Sequence, residues 1–139
     1  MLPRWDLTPV FPSLGDPSVA AAVAEVGAAV AGLGRLYDAH EVRGGPVTVD
    51  DAAIRCFEAV VAATEALRER LRLVNAYVAA HVDTNAADDR AAALQAELQA
   101  GSSALRALVP RFEAWVAALG AEELIARSPV AAGLAWPLR

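Results

Sequence analysis

Proline and glycine, the two residues that most readily end a helix, are both missing from Val49 to about Val82. Within that stretch Ile54, Phe57, Val61, Leu67, Leu71, Val74 and Val78 recur mostly three or four residues apart, which gathers them on one face of a helix. At about 1.5 Å per residue such a rod is about 50 Å long. A loop cannot cover it, so the segments on either side must lie along its apolar face. Thr48 is the expected N-cap, with Asp50 and Asp51 in the first turn where carboxylates meet the positive end of the helix dipole.

The flanking segments suit that role. Asp16-Pro17 is a helix start, with Asp as cap and Pro at the first helical position. Val19, Val23, Val26, Val30, Leu33 and Tyr37 then step by four and three, giving a first helix to about Glu41. Its glycines Gly27, Gly32 and Gly34 lower intrinsic helicity, so packing must hold it. Arg43-Gly44-Gly45-Pro46 breaks the chain, and so short a connection makes the first two helices antiparallel neighbours.

A second break at Asp83-Thr84-Asn85 leads to a third apolar wall of Leu94, Leu98, Leu105, Leu108, Phe112, Trp115 and Leu119. Asp88 and Asp89 form its acidic first turn. Pro110 interrupts this segment, Gly101-Ser102-Ser103 weakens it earlier, and Gly120 stops it. Glu122 to Arg127 reads as a short further helix. The expected class is all-α: an antiparallel bundle or hairpin of three long helices with an irregular N-terminal arm.

With 139 residues the chain has room for one domain with a real core. Its expected divisions are a docking arm over 1–15, a helical bundle domain over 16–127 and a C-terminal extension over 128–139. The arm contains Pro3, Pro9, Pro12 and Gly15, so it is neither helix nor central strand. Trp5, Leu7, Val10, Phe11 and Leu14 are nevertheless large apolar groups, and they are the candidate interdomain docking residues. The ending, with Val130, Leu134 and Trp136 and little polar dressing, hints at a polypeptide that continues.

Composition narrows the chemistry. The 56% hydrophobic content is inflated by alanine, a strong helix former. All 12 basic residues are arginine and the net charge is −5, a balance that argues against a phosphate-tracking surface and so against nucleic acid. The run Ser18–Gly34 is short for a membrane span, contains Glu25 and lacks a basic flank. No membrane association and a cytoplasmic location are therefore expected.

No active site is visible. His40-Glu41-Val42-Arg43-Gly44 begins like H-E-x-x-H, but Gly44 stands where the second histidine must face the metal. His81 reads as a polar helix end, and Cys56 as a small core residue that cannot by itself form a disulfide or a cysteine zinc site. Arg68, Glu69, Arg70 and Arg72 distribute charge around a solvated helix. The chain therefore offers no catalytic, cofactor-binding or metal-binding residues of its own.

The opening is more specific. Trp5-Asp6-Leu7, Val10-Phe11-Pro12-Ser13 and Asp16-Pro17 follow in an order that resembles the start of oligoendopeptidase F-type proteins, zinc metallopeptidases of the M3 family. Leu36-Tyr37, Asn75-Ala76-Tyr77-Val78 and Val82-Asp83-Thr84-Asn85 are similar to that family more loosely. The resemblance implies the N-terminal helical lobe of a largely helical peptidase, walling a channel that admits short peptides and excludes folded proteins. It implies zinc for the full-length family and a catalytic part as the lobe's partner. The family's H-E-x-x-H and downstream glutamate lie far towards the C-terminus, so none of them falls on this chain. The competing class is a self-contained helical interaction module that self-associates through exposed helix faces. A small enzyme using Cys56 is a third.

Overall fold

The computed structural model describes residue 11 and residues 13–134. Trp5, Leu7 and Val10, and with them most of the expected docking arm, lie outside the described residues. Every regular element among the described residues is a helix: α1 (Pro17–Ala39), α2 (Asp51–Thr84), α3 (Asp89–Ala107), α4 (Val109–Leu119), α5 (Ala121–Arg127) and α6 (Pro129–Gly133). The class is all-α.

Several helix boundaries have a local cause. The Asp16 carboxylate accepts the Ser18 N–H at 2.9 Å and opens α1 with Pro17 in its first position. Glu41 ends it by taking a left-handed backbone (φ 51°), while Val42 N–H donates to the Tyr37 carbonyl at 2.8 Å and Glu41 N–H to that of Asp38 at 3.3 Å. These two bonds satisfy carbonyls that the last turn leaves open. The helix therefore stops short of Gly44 and Gly45, at a residue whose type gives no such signal.

The start of α2 corrects the sequence expectation. The cap is Asp50 and not Thr48: Asp50 Oδ1 accepts the Ala53 N–H at 2.8 Å. The preceding residues stay outside the helix, and the Val49 carbonyl is taken by Arg127 instead. At the far end Thr84 Oγ1 donates to the carbonyls of Ala80 and His81. Asp88 is likewise a cap, its Oδ1 accepting from Arg90 and Ala91 N–H, so only Asp89 lies in the first turn of α3.

Gly101 does not interrupt α3, which runs unbroken to Ala107. The break comes at Leu108, before Pro110 near the start of α4, where the missing N–H costs no helix bond. Gly120 (φ 89°, ψ 116°) then separates α4 from α5. Ser128 caps α6, a short helix absent from the sequence reading.

Packing divides the described chain into two compact units, one formed by residues up to Val30 with Leu67–Ser103, the other by Ala31–Ala66 with residues from Ala104 onward. In the first, Val19, Val23, Val26 and Val30 of α1 are buried with Leu67, Val74, Tyr77 and Val78 of α2 and Leu94 and Leu98 of α3. In the second, Leu33 and Tyr37 are buried with Ile54, Phe57 and Val60 of α2, Leu105 of α3, and Trp115, Leu119 and Leu124 beyond. The first unit takes the start of α1 and the end of α2, and the second takes the end of α1 and the start of α2.

The α1 stripe is the expected one throughout. On α2, Val61 and Leu71 are only half-buried, and Val60 and Tyr77 take core places that the spacing reading omitted. By length and composition α1, at 23 residues, is also long and apolar enough to cross a bilayer, a test that the core helix of a soluble protein passes as well.

Candidate functional site

Two side-chain clusters, one in each unit, stand out among the described residues for their aromatic and polar contacts. In the first unit Phe11 meets the Tyr77 ring edge-on with centroids 4.8 Å apart, and the His81 ring lies 4.7 Å from Tyr77 on its own helix. The Phe11–Tyr77 geometry puts the positive edge of one ring near the negative face of the other. Phe11 and Leu14, the two described members of the expected docking set, are buried within this unit.

The charges around this cluster follow its surroundings. Hydrogen bonds from Ser18 hold the Asp16 carboxyl below its ordinary pKa. Burial, aided by the negative charge of Asp16, pushes the Tyr77 hydroxyl up. A phenol so shifted stays protonated at neutral pH and serves here as packing.

In the second unit two arginines reach back from the later helices to the connection between α1 and α2. Arg111 Nε donates to the Val42 carbonyl at 3.1 Å and its Nη1 to Asp38 Oδ1 at 2.9 Å, with the guanidinium over the Tyr37 ring at 5.4 Å. Arg127 donates to the Val49 carbonyl and, at 2.9 Å, to Asp51 Oδ1. The residues between, 43–48, are exposed. Ser128, only 2% exposed, donates its hydroxyl to Glu58 Oε1 at 2.7 Å and accepts the Ala131 N–H at 3.2 Å. In the same unit Phe57 and Phe112 stack with centroids 6.1 Å apart, and Trp115 is tilted against both at 6.2 Å.

These arrangements can bind helices to one another. His40 is exposed beyond the end of α1, and Glu41, next to it, pairs with Arg43 at 3.3 Å. The stretch from His40 to Gly44 is therefore not a helix face that could present metal ligands. Cys56 is half-buried, and burial raises its pKa, which keeps it a thiol where a nucleophile must be a thiolate. The His81 ring is tilted against that of Tyr77. Among the described residues no three of His, Cys, Asp and Glu gather as a metal-holding group.

Sequence reasoning named Asp16, His81 and Cys56 but missed Arg111, Arg127 and Ser128. Their partners lie 69 to 78 residues away in the chain. No local spacing signals such pairs. No family model, curated protein or solved structure matches the chain.

Proposed function

We propose that this chain is a non-catalytic helical lobe of an M3-type zinc oligopeptidase, helping to wall the channel that receives short peptides in the cytoplasm. The observation that carries the reading is the opening phrase Trp5-Asp6-Leu7, Val10-Phe11-Pro12-Ser13 and Asp16-Pro17. Its described part leads straight into the capped start of α1, and Phe11 is held against Tyr77. In this reading the catalytic part is the partner and zinc belongs to that part.

The test is the reading frame downstream of the Arg139 codon. An in-frame continuation encoding H-E-x-x-H supports the lobe. A stop codon with no such frame beyond it overturns it.

A second reading, a self-contained helical interaction module, is favoured by one observation. Among the described residues only Val47, Leu73 and Val130 are exposed large apolar groups, so most of the described large apolar side chains are covered. A sharply melting monomer or defined dimer that does not bind ANS supports the module, whereas ANS binding at neutral pH favours a lobe with an uncovered interface.

A further inference from the structure

We draw no further inference here: the strongest candidate, the exposed small-residue face of α1 formed by Ala20, Ala24, Gly27 and Ala28, carries nothing because no feature of the structure shows what covers it.

Discussion

Arg111 on α4 donates a hydrogen bond to the carbonyl oxygen of Val42, the residue whose own N–H closes the last turn of α1. A helix end is thus finished from both sides, by its own backbone and by a side chain from far along the chain. The accompanying ion pair with Asp38 contributes little, because Asp38 is 73% exposed and Arg111 33%. The bond to a buried residue's carbonyl and the stacking on Tyr37 matter more.

Arg111→Ala should therefore destabilise the protein by about 1–2 kcal/mol. Arg111→Lys should recover less than half of that, since an ammonium lacks the planar fork that reaches Val42 and Asp38 together. Urea denaturation of the three proteins measures both. A wild-type midpoint for the alanine variant would show that the contact is idle.

Glu41 carries a left-handed backbone, which costs a residue with a Cβ about 1 kcal/mol or more. Glu41→Gly should raise stability by about 1 kcal/mol at most, the gain reduced by the greater freedom of glycine in the unfolded chain. Its exposed pairing with Arg43 is a negligible loss. Thermal melts of Glu41→Gly and Glu41→Ala decide it: only the glycine variant should rise, and a lower melting temperature for it refutes the strain.

Two other glycines should respond with opposite signs. Gly101 lies inside α3, and an added Cβ would sit 3.7 Å from Val26 Cγ1, an ordinary contact. Gly101→Ala should stabilise by about 0.5–1 kcal/mol. Gly120 has φ 89°, and Gly120→Ala should cost about 1–3 kcal/mol. Chemical denaturation of the pair gives the comparison, and equal shifts of one sign would falsify it.

Hydrogen bonds from Ser18 lower the pKa of Asp16 in the folded state. A depressed carboxyl contributes stability that is present above its unfolded pKa and lost as pH falls through the folded value. Wild type should lose more stability on acidification than Asp16→Asn, whose amide still caps but does not titrate. Denaturant midpoints at neutral and acid pH measure the difference, and parallel losses in the two proteins exclude the linkage.

On the proposed reading as a non-catalytic lobe, the purified chain should leave short fluorogenic peptides intact with or without added zinc. Chelator-sensitive cleavage that persists through further purification contradicts the proposed division of labour.

How much was legible in the sequence follows from how local each cause is. The α1 stripe from Val19 to Tyr37 is regular, and all six of its residues are buried. Along α2 the interval from Phe57 to Leu67 offers Val60 and Val61 side by side, and spacing alone cannot choose between them. Thr64 is half-buried there and donates its hydroxyl to the Val60 carbonyl. Thr48 and Asp50 are similar capping candidates by residue type; Asp50 is chosen where Arg127 takes the neighbouring Val49 carbonyl. The candidate site was less legible still, because Arg111, Arg127 and Ser128 acquire their roles through distant partners, while Trp5, Leu7 and Val10 lie outside the described residues.

The connection between α1 and α2 is a span with both abutments fixed, at Val42 by Arg111 and at Val49 by Arg127. Its length is therefore more constrained than its lettering. Exposed residues between the abutments can be exchanged with little effect, except Gly44, where a Cβ would come within 3.2 Å of Ala114 Cβ, and Gly45, whose φ of 128° strains any residue with a Cβ. Deleting even one residue shortens the span by up to about 3.5 Å and draws a carbonyl away from its arginine, so variation in this loop should conserve length even where it changes composition.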